Sequence, residues 1–276
     1  MFLSMNDGCR LLTEVLGETV RPGGRISHPV LFLHGGPGGR HNGMKNCLRD
    51  LADDYQLVFF DQRGMGGSDR CRKGNWNLRR WGLDAVTVIR QLGIEGCTVF
   101  AQSFGVHVLA EMADIDQDVF GDVIIGGASL GLDHRQRVES FARIGGDNAA
   151  TVAGQFWTRN PSPEVIEAYA ERCFPHYQKY HGITNPKIDQ EMTRHWLGTG
   201  LPYVRTAEKL GKIRGRALVL AGKHDPLSPV KVADQVAHSL NSAEDVDMRL
   251  FDAGHAVYLD QREQVIESIR SFLESN

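Results

Sequence analysis

Val99-Phe100-Ala101-Gln102-Ser103-Phe104-Gly105 decides the fold. The run Cys97 to Phe100 is apolar enough for a strand buried on both faces. Beyond the segment, Val108, Leu109 and Met112 recur at helical spacing. Between strand and helix sits a serine with a small residue two positions away on each side, Ala101 and Gly105. A serine on so tight a turn projects its hydroxyl past the end of the sheet. The turn leaves little room for side chains at the two flanking positions. Glycine is usual at the first of them, and alanine is its least costly substitute. Ser103 is therefore a candidate nucleophile.

The same rhythm extends in both directions. Val30 to Leu33, Leu57 to Phe60, Val123 to Ile125 and Ala217 to Leu220 are short apolar runs, and Met248 to Phe251 is a plausible last strand. Helical stripes alternate with them: Met44, Cys47, Leu48, Leu51; then Leu78, Trp81, Ala85, Val88, Ile89, Leu92. Ser228-Pro229 is expected to cap a helix through Val232, Val236 and Leu240. Asp260 with Glu263 is expected to form a capping box before Val265, Ile266, Ile269 and Phe272. Alternating strands and helices predict an α/β protein with a mostly parallel central sheet and helices on both faces. Residues 133–210 break the pattern. They hold no convincing strand, helical pieces such as the one opened by Ser162-Pro163, and many aromatics, among them Phe156, Trp157, Tyr169, Tyr177, Tyr180, Trp196 and Tyr203. The expected organisation is a core of 1–132 and 211–276 with a helical cap, 133–210, inserted in it.

Three further segments carry chemistry. His34-Gly35-Gly36-Pro37-Gly38-Gly39 follows a buried strand. A glycine-rich loop there lets backbone N–H groups face a developing oxyanion, and Gly36 together with Phe104, the residue after the nucleophile, are the expected donors. A phosphate loop would require a lysine and a Ser/Thr at fixed spacing, and this segment has neither. Asp225, in Gly222-Lys223-His224-Asp225-Pro226, follows the strand at 217. His255, in Ala253-Gly254-His255, follows the strand at 248. A serine hydroxyl needs an imidazole to take its proton and a carboxylate to hold that imidazole in one tautomer. The chain order Ser, Asp, His suits this assignment, with His224 and Asp252 as weaker neighbours.

Composition excludes other classes. The chain has 276 residues, 41% hydrophobic, and a net charge of -3, which offers nucleic acid or an acidic membrane no basic surface. Five cysteines without a CxxC pair indicate neither a zinc site nor a disulfide framework. His176 and His181 lack metal-ligand spacing, His107 reads as structural, and Cys97 as an inert core thiol. Neither a cofactor nor a metal is expected. The first residues lack a basic region followed by an apolar run, and no apolar stretch approaches the roughly 20 residues that span a bilayer. The expectation is a cytoplasmic protein, as a monomer or homo-oligomer, acting on a small molecule or short peptide.

Taken together, His34-Gly35-Gly36-Pro37-Gly38, Asp61-Gln62-Arg63-Gly64-Met65-Gly66-Gly67-Ser68, Gln102-Ser103-Phe104-Gly105, Asp225 and Gly254-His255 resemble the proline iminopeptidase branch of the α/β-hydrolase family. The resemblance covers about 28–130 and 213–275. It implies a serine hydrolase that removes an N-terminal residue from a short peptide, with a helical cap over the site and Asp61 and Arg63 holding loop architecture. That family receives the free substrate amine with glutamates, mostly in the cap. Glu139, Glu164, Glu167, Glu171, Glu191 and Glu208 are available here, none at a matching motif. A carboxylesterase or lactonase, a carbon–carbon bond hydrolase, and a receptor that binds without turnover stay open as alternatives.

Overall fold

The six apolar runs are strands, and two more precede them. The computed structural model describes residues 1–19, 27–128, 130–131, 133–180, 188–201 and 204–274. Its strands are β1 Phe2–Ser4, β2 Arg10–Leu16, β3 Pro29–Leu33, β4 Gln56–Phe60, β5 Cys97–Gln102, β6 Phe120–Gly126, β7 Ala217–Gly222 and β8 Val246–Phe251. They form one sheet in the order β1-β2-β4-β3-β5-β6-β7-β8. All pairings from β4 to β8 are parallel, and β1 and β2 add an antiparallel edge. The helices are α1 Asn42–Leu48, α2 Leu78–Leu92, α3 Phe104–Asp116, α4 His134–Phe156, α5 Pro163–Arg172, α6 Gln190–His195, α7 Thr206–Leu210, α8 Val230–Ser239, α9 Val257–Asp260 and α10 Arg262–Glu274.

The uninterrupted apolar strands follow from burial on both sides. Val30, Phe32, Phe59, Phe100 and Leu218 pack with Met44 and Leu48 of α1 and Ile269 and Phe272 of α10. Leu31, Leu33, Val99, Ile125 and Val219 face the opposite way, toward Trp81 and Ile89 of α2, Leu109 of α3 and Val236 of α8. Each such fully buried side chain contributes about 1.5–3 kcal/mol, so alternation along the strand is lost where both faces need apolar residues. Between β6 and β7 the described residues form α4 to α7 and no strand; α4 is interrupted at Gly146. Tyr203 and His181 lie outside the described residues.

Ser162 caps α5 as expected, accepting from the Val165 N–H with Pro163 in the first turn. Two other capping expectations are corrected. α8 begins after Pro229 with no side-chain cap, because the Ser228 hydroxyl donates to the Ala128 carbonyl. The Asp260 carboxylate accepts from the N–H groups of Gly254, Lys179 and Tyr180, and so braces loops rather than opening α10.

The cysteine expectation is also corrected. Cys9 and Cys71 form a disulfide across 62 residues, with Cα atoms 6.0 Å apart. Their neighbours bring them together: Arg10 and Asp69 exchange a backbone bond (Asp69 N–H to Arg10 C=O, 3.0 Å) and a two-pronged ion pair. Disulfides are rare in reducing compartments, so this bond runs against a cytoplasmic setting. Among the described residues no helix is long and apolar enough to cross a membrane.

Candidate active site

β5 ends at Gln102 and α3 begins at Phe104, which leaves Ser103 alone to make the turn. It does so at φ 53°, ψ -113°, a conformation costing of order 1–3 kcal/mol for a residue with a Cβ. Its N–H is held by the Gly126 carbonyl at 2.8 Å, at the end of the adjacent strand. A Cβ on Gly105 would lie 2.4 Å from the Leu33 carbonyl oxygen, so only glycine lets α3 approach β3 this closely. Ala101 is fully buried inside β5, where its methyl is accommodated.

The loops after β7 and β8 bring the other two groups to this turn. His255 Nε2 is 2.9 Å from Ser103 Oγ, and His255 Nδ1 is 2.8 Å from Asp225 Oδ2. Asp225 Oδ1 is occupied by the N–H groups of Leu227 and Ser228 at 2.7 and 2.9 Å. The carboxylate is thus fixed, with one oxygen for the imidazole. Nδ1–H donates to that oxygen, which leaves Nε2 unprotonated toward the serine. The histidine backbone is held from both sides: its N–H donates to the Tyr177 carbonyl at 2.7 Å, and Gln102 Nε2 donates to its carbonyl at 3.1 Å. Asp225 and His255 are buried. His224 and Asp252 pair with each other at 2.7 Å, both half exposed and apart from this arrangement.

The glycine loop lies against the serine. A Cβ on Gly35 would sit 3.4 Å from Ser103 Cβ. The N–H of Phe104 opens a helix and has no intrahelical partner. Among the described residues neither it nor the Gly36 N–H donates elsewhere. His34 anchors the loop. Its Nε2 accepts from the Gln62 N–H at 3.0 Å, so Nδ1–H donates to the Gly35 carbonyl at 2.7 Å. Gln62 Nε2 returns a bond to the His34 carbonyl at 2.9 Å. The buried Arg63 makes two-pronged pairs with Asp84 and Asp7. The segment 61–68 therefore supports the loop and the N-terminal edge and does not enter the cavity.

Burial alone would raise the Asp61 pKa. Hydrogen bonds from the His41 ring, the Gly67 N–H and the His41 N–H outweigh it and hold Asp61 at about 2. A carboxyl depressed in the folded state stabilises the protein above its unfolded pKa of about 4, and that stability is lost as pH falls through about 2. The urea midpoint of the native protein should therefore fall more steeply between pH 4 and 2 than that of Asp61→Asn. Equal slopes would contradict this role.

Ser103 and His255 open onto a cavity of about 280 Å³. Its walls are mostly apolar: Phe104, Phe156, Trp157, Phe174, Trp196, Leu197, Leu201 and Leu227. None of the six glutamates of the 133–210 segment lines it. Glu139 pairs with Arg135, Glu191 with Arg70 and Lys73, Glu208 with Arg205, and Glu167 accepts from Gln190. Among the described residues one carboxylate lines the cavity, that of Asp189, and it is paired with Arg70 at 2.6 Å. His107 also lines the cavity. Its Nδ1 is 2.6 Å from Thr206 Oγ1, and burial pushes its pKa down to about 3, so it is neutral near pH 7. Sequence reasoning missed Arg137 and Asp189 in these walls, and named Tyr177 only as one of the aromatics of the inserted segment. No periodicity marks a residue of an inserted helix as facing a cavity. No group of three or more metal-ligating side chains exists among the described residues.

A family model described as "Alpha/beta hydrolase family" matches residues 30–268. A proline iminopeptidase of Lactobacillus crispatus is 23% identical over 276 aligned residues, covering 90% of each chain. Among solved structures, a proline iminopeptidase of Mycobacterium smegmatis superposes with a TM-score of 0.74 at 20% identity, over 100% of this chain and 97% of that one. An esterase of Exiguobacterium antarcticum gives 0.68 at 20% identity, over 99% and 98%.

Proposed function

The chain belongs to the alpha/beta hydrolase family, and from that premise we propose that it is a serine hydrolase that cleaves a small ester or lactone through an acyl-enzyme. The observation that carries the proposal is the unbroken relay Ser103 Oγ–His255 Nε2–Asp225, at 2.9 and 2.8 Å. Ser103 attacks the carbonyl while His255 takes its proton. Asp225 stabilises the imidazolium. The N–H groups of Gly36 and Phe104 receive the oxyanion, each donor worth about 3 kcal/mol in comparable sites. His255 then returns the proton to the leaving oxygen, and water activated by the same imidazole releases the acid. The helices of 133–210 act as the cap that shields this chemistry from bulk water.

The cavity walls favour ester or lactone over peptide. An aminopeptidase must balance the substrate ammonium with a carboxylate; among the described residues no glutamate lines this cavity, and the aspartate that does, Asp189, is already paired with Arg70. A second reading, an aminopeptidase, is favoured by the extended similarity to proteins named proline iminopeptidase. A panel of short-chain aryl esters, lactones and aminoacyl arylamides separates the two. Turnover of esters or lactones with kcat/KM at least about 100-fold above any arylamide is the expected outcome. Prolyl arylamide as the best substrate would overturn the ester reading and leave the serine mechanism intact.

A further inference from the structure

The cavity wall holds a cation with no bonded counter-ion among the described residues. Arg137, in the first turn of α4, is only 3% exposed and lines the same space as Ser103. Its guanidinium Cζ lies over the Trp157 ring, 3.6 Å from the centroid. Nη2 makes one long contact, 3.4 Å, to the Gly131 carbonyl, and Nη1 has no hydrogen-bond partner among the described residues. Buried charges are ordinarily paired, because an unpaired one carries the full desolvation cost. Neither candidate counter-ion bonds to it. Asp225 has both oxygens occupied by His255, Leu227 and Ser228, and Asp133 caps α4 through the Gln136 N–H. A positive charge in a first turn also opposes the helix dipole, so α4 gains nothing from it. Burial lowers the Arg137 pKa, as expected for a cation desolvated without a partner.

A second donor lies on the same wall. The Trp157 indole N–H donates to the Tyr169 hydroxyl at 3.1 Å. Tyr169 is fully buried, and its hydroxyl is 2.9 Å from that of Tyr177. Either hydroxyl can be the donor in this pair; when Tyr169 donates to the Tyr177 oxygen, the Tyr177 O–H is left to donate elsewhere. The Tyr177 ring stands 5.3 Å from that of His255, beside the relay.

We infer that Arg137, assisted by the Tyr177 hydroxyl, receives a carboxylate of the substrate, so that the enzyme acts on acidic esters or lactones. This rests on the hydrolase reading above, and it names the substrate class of that site. A planar guanidinium with open N–H groups matches a carboxylate in geometry and charge. The carboxylate can belong to the acyl part or to the leaving alcohol, and two pairs of esters distinguish them: 4-nitrophenyl hemiglutarate against 4-nitrophenyl valerate, and 4-carboxyphenyl valerate against phenyl valerate. The native enzyme should prefer the acidic member of one pair. In Arg137→Met the ratio of acidic to neutral kcat/KM should collapse by about 30-fold, mostly through KM, the scale of a charge-assisted contact. Arg137→Lys should restore part of that ratio. Absence of acidic preference in both pairs, or an equal loss on both members in Arg137→Met, would overturn the inference. Calorimetric titration of Ser103→Ala with glutarate and with glutaramide gives a readout independent of turnover and of whether Arg137→Met folds. Binding of glutarate alone is expected, and its absence would also overturn the inference. Glutarate binding by a protein whose native form turns over no ester would sink the catalytic reading and, with it, the acidic-ester substrate class, leaving Arg137 only as a carboxylate-binding group.

Discussion

Ser103→Ala should lower kcat by about a million-fold on the best ester while the thermal midpoint scarcely moves, since loss of a triad nucleophile removes the covalent route altogether. The side chain makes one hydrogen bond, to His255, and such a bond contributes only about 1 kcal/mol to stability. The backbone strain at φ 53° is the same for alanine as for serine. Burst and steady-state kinetics beside a melting curve check this. A variant that kept a tenth of the native rate would mean that another group attacks.

Asp225→Asn should cost about ten thousand-fold in kcat, as in the serine-protease triad, with little change in KM. The reason is local. The Leu227 and Ser228 N–H groups need an acceptor, and an asparagine would give them its oxygen. Its NH2 would then face His255 Nδ1 and force the proton onto Nε2. An imidazole protonated at Nε2 cannot take the Ser103 proton. Kinetics over pH 5–9 test it, and a variant with native kcat would show that the carboxylate is dispensable.

How far the sequence reveals all this depends on where each residue's partners lie. Strands β3 to β7 are legible because burial on both faces makes each a short apolar run, and edge strand β8, half-buried with Asp247 and Arg249 in it, only by its place after them. β1 and β2 are not: they form an antiparallel edge, and Arg10, Glu14 and exposed Phe2 dilute their pattern. Ser103, Asp225 and His255 could be nominated because each follows a strand end, where a parallel sheet gathers its loops. Ser228 and Asp260 match local capping patterns, but their side chains serve neighbours about 100 and 80 residues away. The Cys9–Cys71 pairing is likewise invisible in spacing, since it depends on the contact between Arg10 and Asp69. Arg137 reads in sequence as one more charge on a helix. Only its packing over Trp157, with no carboxylate bonded to it among the described residues, marks it out.

The most direct measurement is reaction of the native protein with a fluorophosphonate, followed by intact mass and peptide mapping. The account predicts one adduct per chain, on the peptide carrying Ser103, and none in Ser103→Ala. An adduct on a different serine, or equal labelling of the variant, would contradict it.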